Sequence, residues 1–268
     1  MRKSFGDADD LRELTGQGLD QVDDECVLLT RFGHGTWGHW LAEVVPMAAV
    51  VERYQPGRFK FAVPHYRSDY GRAMMESLRA YGIEPHRVIP ISCARSTQFR
   101  NAWAVTPIWS DRSPHPSALD VMRGAVRLIQ HMPGRERIAL MRRDRPTRTI
   151  VNGSEVEAAL TAAGFVLTDA TGLPFVEQVR MFQSATTIFG VLGSGLTGLI
   201  YSPNGVNVVA VAPSGWGDDF FYGIARQRNA KWAEVRGQSH WNKTDGLLRD
   251  APFEVPLRSL HEALETLQ

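Results

Sequence analysis

The sequence predicts an α/β protein built from two lobes. Three observations carry that prediction. Short apolar runs suited to buried strands alternate with segments of helical spacing. They fall into two series. A stretch at 109–117, rich in Ser, Pro, Asp and His, lies between them. Strands alternating with helices of about 10 residues argue for parallel sheets covered by helices.

The first series opens with CVLLTR at 26–31, a run of the kind that forms a buried parallel strand. Residues 37–54 follow as a long apolar-rich helix. Pro46 is expected to kink or break it, because proline lacks the N–H and crowds the carbonyl four residues earlier. A strand at 59–64, a helix at 68–81 stopped by Gly82 and Pro85, and a strand at 87–91 continue the alternation. Residues 99–108 have room for one or two more strands. Beyond the loop, 118–131 carries apolar residues at helical spacing.

The second series starts with the strand RIALMR at 137–142. Ser154 is placed to cap a helix at 155–163, which Gly164 ends. A strand at 165–168 precedes a helix at 174–184 with Pro174 in its first turn. TTIFGV at 186–191 is a β-rich strand, followed by a glycine turn and a short helix to Tyr201. The strand NVVAVA at 207–212, a helix at 220–229, a strand at 232–236 and a terminal helix at 257–267 complete the chain. The lobes divide as 1–116 and 117–255, with 256–268 as a terminal helix.

Composition narrows the function. Of 268 residues 43% are hydrophobic and 22% charged, enough chain for one large core or two smaller ones. The net charge of +1 lacks the basic excess expected of a nucleic-acid binder. Cys26 and Cys93 make neither a disulfide framework nor a metal-ligand spacing, which fits a reducing compartment. The start MRKSFGDADD has no apolar signal region. The uncharged stretch 186–207 is punctuated by Gly190, Gly193, Gly195, Gly198, Pro203 and Gly205, so no transmembrane segment is expected. A cytoplasmic location follows as the expectation, compatible with peripheral association at a membrane.

Gly193-Ser194-Gly195-Leu196-Thr197-Gly198 spells G-x-G-x-x-G between a strand and a helix. Such a turn offers N–H groups and a helix dipole to an anion. A dinucleotide site also needs an acid about 20 residues on, at the end of the next strand. That strand ends Val211-Ala212-Pro213, which disfavours a nicotinamide enzyme and favours phosphate binding of another kind or a purely structural turn. Arg142, Arg143, Arg145 and Arg148 follow the strand at 137–142. Guanidinium forks there match phosphate oxygens, or form a solvated basic loop. His39 and Glu43, four apart, share a helix face, as a base with its orienting carboxylate or as an ordinary surface pair; His34 is a second candidate base. Trp37 and Trp40 suit either a sugar or the core. Asp7-Ala8-Asp9 has the spacing of a metal-binding acidic pair but lies in a polar terminus and reads as solvated. No metal site is expected. Gly-Ser-Gly at Ser194 is not a hydrolase elbow.

Three segments together resemble glycosyltransferase family 61. They are WGHWLAEVVPMAAV at 37–50, RRDRPTRTIVNGSEV at 142–156, and LPFVEQVRMFQSATTIFGVLGSGLTGLIYSP at 173–203. The resemblance runs over roughly residues 31 to 237 and is most specific in the third segment. It implies two Rossmann-like lobes facing a cleft (GT-B), an acceptor-side N-terminal lobe and a donor-binding C-terminal lobe. It also implies an inverting, metal-independent transfer from a nucleotide sugar, uridine-linked by analogy, to a glycan or polysaccharide. No cofactor is expected. The donor site so implied comprises Arg142, Arg143, Arg148, Glu177, Gln178, Gly193, Ser194, Gly195 and Thr197. His39, Glu43 and His34 are the implied catalytic groups. Leu192 and Gly198 stand where the family pattern has His and Asn. The alternative is therefore an inactive domain that binds nucleotide, glycan or a partner enzyme.

Overall fold

A computed structural model describes residues 20–31, 33–92, 95–110, 113–126, 129, 136–142, 147–241 and 246–267. The first series forms a four-stranded parallel sheet from β1 (Asp20–Leu28), β2 (Lys60–Pro64), β3 (Val88–Ile91) and β4 (Thr97–Ala104), in the order β3-β2-β1-β4. β5 (Trp109–Ser110) and β6 (Ser113–Pro114) make a small antiparallel pair inside the stretch read as loop.

The second series forms a six-stranded sheet. Its members are β7 (Glu136–Leu140), β8 (Phe165–Thr168), β9 (Ala185–Val191), β10 (Asn207–Pro213), β11 (Lys231–Ser239) and β12 (Phe253–Glu254). The order is β12-β11-β10-β9-β7-β8, parallel except for the last short strand against β11. β9 and β10 are central and buried almost throughout, which is why they read as unbroken apolar runs.

Among the described residues, seven α-helical stretches accompany the sheets. α1 spans 37–54 in three pieces: α-helical Trp37–His39, a π turn Trp40–Val44, and α-helical Val45–Tyr54. The others are α2 (Asp69–Ala80), α3 (Pro116–Val126), α4 (Gly153–Ala162), α5 (Phe175–Ser184), α6 (Phe220–Arg226) and α7 (Leu257–Thr266). Pro46 does not break α1. The N–H of Val45 bonds Trp40 O, five residues back, so the wider turn absorbs the proline within a continuous helix.

Other boundaries moved for physical reasons. Ser154 is not a cap: α4 starts at Gly153 behind Asn152. The Asn152 amide instead bonds Val255, donating to its O and accepting from its N, both at 2.9 Å. The segment after the glycine turn is a 3-10 helix, Ser194–Tyr201. β1 starts six residues earlier than read, because its pairing with β4 extends to Asp20. The predicted helix at 118–131 is described to Val126; most of its remainder lies outside the described residues.

One hydrophobic cluster joins the two sheets. It contains Val27 and Leu29 from the first, Trp40, Leu41 and Met47 from α1, and Ile188, Leu192, Leu196 and Val208 from the second. An aromatic group sits where α1, α2, α5 and the 3-10 segment meet. Phe175 packs against Trp37, Tyr81 and Tyr201 at 6.0–6.4 Å between centroids. The Tyr81 and Tyr201 hydroxyls are 2.8 Å apart, and burial pushes both phenols up. Glu76 Oε2 on α2 accepts from Phe175 N at 2.9 Å, satisfying a free donor at the start of α5. A second cluster, including Phe189, Val211, Phe253 and Leu260, fills the opposite face of the second sheet under α4 and α7.

Gly198 is fixed by this packing. A Cβ there would lie 2.0 Å from Phe182 Cε2. Gly198→Ala should destabilise the chain by about 1–3 kcal/mol through overpacking. Urea unfolding measures it; an unchanged midpoint would contradict the contact.

Candidate active site

Ligands of open α/β sheets bind outside the carboxyl ends of strands, where strand order reverses. In the first sheet β2 and β4 flank β1. In the second, β8 and β9 flank β7. The chain leaving β1 carries Arg31, His34 and α1. The chains leaving β7 and β9 carry Arg142, Arg148 and the glycine turn. The sequence-predicted residues therefore gather at both reversal points.

The loop before α1 is tightly closed. His34 N donates to Arg31 O at 3.1 Å, and Thr36 N to Gly33 O at 2.9 Å. The Thr36 hydroxyl adds a bond to Gly33 O at 3.0 Å. Gly33 has φ +88°, and a Cβ there would come within 2.7 Å of the His39 ring, so glycine is required for both conformation and space. His34 Nδ1 lies 3.1 Å from the Tyr66 hydroxyl, and the Tyr70 hydroxyl donates to His34 O. Burial pushes the His34 imidazole below its ordinary pKa, which favours the neutral ring.

His39 ends the first α-helical piece of α1, and Glu43 stands in the π turn. His39 Nδ1 is hydrogen-bonded to Glu43 Oε1, and Arg31 Nε lies 3.4 Å from Glu43 Oε2. Glu43 is 8% exposed, whereas the His39 side chain keeps 48% of its surface. An ionised carboxylate accepts only, so the network assigns the imidazole hydrogen to Nδ1 and leaves Nε2 with a free lone pair. The geometry is that of an exposed imidazole held by a nearly buried carboxylate.

The second half gathers cationic and N–H donors. A Cβ at Gly193 would lie 2.9 Å from Arg142 Nη1 and 3.3 Å from Arg148 Nη1, so both guanidinium groups cover the turn. Arg142 Nη2 reaches Thr147 Oγ1 at 3.2 Å. Arg148 Nη1 donates to Leu192 O at 2.9 Å, and its guanidinium sits 5.1 Å from the Trp216 ring centre. The Arg148 backbone has φ +55°, uncommon outside glycine, and its N–H donates to Asp250 O. Burial pushes Arg148 below its ordinary pKa. An anion would relieve that desolvation. Thr197 is fully buried, and its hydroxyl has no hydrogen-bond partner among the described residues.

The two halves touch. A Cβ at Gly38 would lie 3.0 Å from Ser194 Oγ, 3.4 Å from Ser194 Cα and 3.3 Å from Thr197 Oγ1. The helix bearing His39 and Glu43 therefore starts against the glycine turn.

Other predicted residues are placed differently. Glu177 pairs with Arg180 on α5, and Gln178 Nε2 donates to Leu173 O. Leu192 is buried in the core. Trp40 is fully buried with its N–H on Ser77 Oγ, and Trp37 joins the aromatic cluster. Arg143, Arg145, Asp7, Asp9 and Cys93 lie outside the described residues. Among those described, no three metal-ligating side chains converge. Sequence reading missed Arg31, Tyr66 and Trp216. Each follows a strand end beside a predicted site residue, and that position is the signal that could have found them.

The orphan hydroxyl gives a test without ligand. Thr197→Val removes a buried unpaired donor and should leave stability unchanged or raise it by about 1 kcal/mol in urea unfolding. Clear destabilisation would show that the hydroxyl has a partner.

No curated protein matches the chain. No helix among the described residues is long and apolar enough to cross a membrane. The model of the family Glycosyltransferase 61 matches residues 37–209, which takes in α1, the arginine loop and the glycine turn. With nearly two thirds of its length matched, the chain belongs to glycosyltransferase family 61.

Proposed function

We propose that the protein is an inverting, metal-independent glycosyltransferase that moves a sugar from a nucleotide-sugar donor to a glycan acceptor. The observation that supports this reading is the contact between the start of α1, which carries His39 held by Glu43, and the Ser194–Thr197 turn. The nucleoside diphosphate lies against the N–H groups of Gly193, Ser194 and Gly195, the Thr197 hydroxyl, and the guanidinium groups of Arg142 and Arg148. A uridine-linked donor is the first choice, on the family resemblance. The acceptor hydroxyl faces His39.

In the reaction His39 Nε2 takes the acceptor proton as the acceptor oxygen bonds to the sugar C1. The bond from C1 to the phosphate oxygen breaks, and its electron pair leaves on the diphosphate. Glu43 stabilises the resulting imidazolium. Arg142, Arg148 and the turn stabilise the leaving group and supply the positive charge a metal would otherwise bring. A cytoplasmic location, with peripheral association at a membrane, goes with this reading.

One observation favours a second reading, an inactive domain that binds nucleotide, glycan or a partner enzyme. Leu192 is buried and Gly198 abuts Phe182, where the resemblance implies His and Asn. Donor binding without transfer or hydrolysis would select it.

Calorimetry with uridine diphosphate tests the donor site. Arg148→Ala should weaken binding by about 1.5–3 kcal/mol; equal affinity would remove the arginine from the site. His39→Ala should lower turnover about 10²–10⁴-fold at constant donor affinity. Near-normal transfer would pass the role to His34. Transfer should continue in excess chelator. Loss restored by magnesium or manganese would contradict metal independence.

A further inference from the structure

We infer that Arg31 is a positioning residue that acts through Glu43 to hold His39 in the tautomer with Nε2 free. The inference rests on the reading of His39 as the base, and it adds a residue that lies outside the His39–Glu43 helix. Glu43 uses one oxygen for each neighbour: Oε1 for His39 Nδ1, and Oε2 for Arg31 Nε at 3.4 Å. The terminal torsion of a glutamate is broad, so a carboxylate bonded at one oxygen still swings. A cation at the second oxygen fixes the plane and keeps Oε1 on the imidazole.

Arg31 is well placed for this. It leaves β1 just after Leu29, whose N–H bonds Ala62 O, and its own carbonyl accepts from His34 N at 3.1 Å. Its side chain is 28% exposed, so its stem is held while its head faces Glu43. Other charged or titratable groups surround the pair. His34, Tyr66 and Tyr70 lie across the loop, and Arg142 and Arg148 lie beyond Gly38, behind the glycine turn. Among the described residues, Arg31 and His39 are the groups that reach the Glu43 carboxylate.

The neutral imidazole of a free histidine prefers its hydrogen on Nε2, the nitrogen that must be bare in a base at this site. Glu43 reverses that preference only while it is held in place. Arg31 keeps 28% of its side-chain surface and Glu43 9%, so urea unfolding of each variant is measured beside the tautomer to separate a loss of stability from a change of tautomer.

The test compares Arg31→Gln, Arg31→Met and Arg31→Lys with the unmodified chain. Nitrogen-15 NMR in mildly alkaline buffer reads the His39 tautomer, assigned by difference against His39→Ala. The unmodified chain and Arg31→Lys should show the Nδ1–H form. Arg31→Gln and Arg31→Met should move a large share to the Nε2–H form. Turnover should fall about tenfold or more in the two neutral variants and return to within about threefold in Arg31→Lys, at constant affinity for uridine diphosphate. An Nδ1–H tautomer and full turnover in both neutral variants would overturn the inference. The tautomer is read without substrate, so a chain that transfers no sugar would fail the functional reading while the role of Arg31 is still decided.

Discussion

The start of α1 meets the glycine turn almost backbone to backbone, and the site is built around that approach. Gly38 brings no side chain to the contact, and Ser194 brings a small one. Larger residues would hold the two sheets' loops apart. The aromatic group beneath, Trp37, Phe175, Tyr81 and Tyr201, and the shared hydrophobic cluster fix the same relation from below. The His39–Glu43 pair beside one sheet and the Arg142–Arg148 pair beside the other are thus held in a set relation by packing, and such fixed geometry is what orienting two reactants requires.

Charge is distributed to match. Arg142 and Arg148 cover Gly193, Trp216 backs Arg148, and the half-buried Arg148 is partly desolvated. Glu43, nearly buried, is engaged at one oxygen by Arg31 and at the other by His39. The π turn places that carboxylate. Pro46 cannot bond back along the helix, the ladder widens over Trp40–Val44, and the extra residue in the turn includes Glu43 among those re-aimed. Such turns recur at functional sites because they redirect side chains without ending the helix.

Much of the fold was legible because the central strands of the second sheet are short and buried. β9 and β10 are apolar on both faces, and no other element suits TTIFGV or NVVAVA at that length. The pairing of His39 with Glu43 was legible from spacing alone, since a helix brings i and i+4 together. What sequence could not show depends on neighbours distant in the chain. Asn152 is drawn to Val255 rather than to the cap position, and the glycine-rich segment tightens to a 3-10 helix under Phe182. Glu177 and Gln178 looked like ligand groups beside a specific motif, yet their contacts stay within the start of α5. Arg31 and Trp216 escaped because their segments carry no motif and their place after a strand end is the one signal. Only the parallel order of strands brings their loops to Glu43 and Arg148.

A crystal structure of the chain with uridine diphosphate tests the central claim most directly. The account predicts the diphosphate seated on the Gly193–Thr197 turn, with Arg148 in contact with a phosphate oxygen and His39 Nε2 facing the space beside the terminal phosphate. A diphosphate bound away from the turn, or one whose terminal phosphate points away from His39, would contradict it.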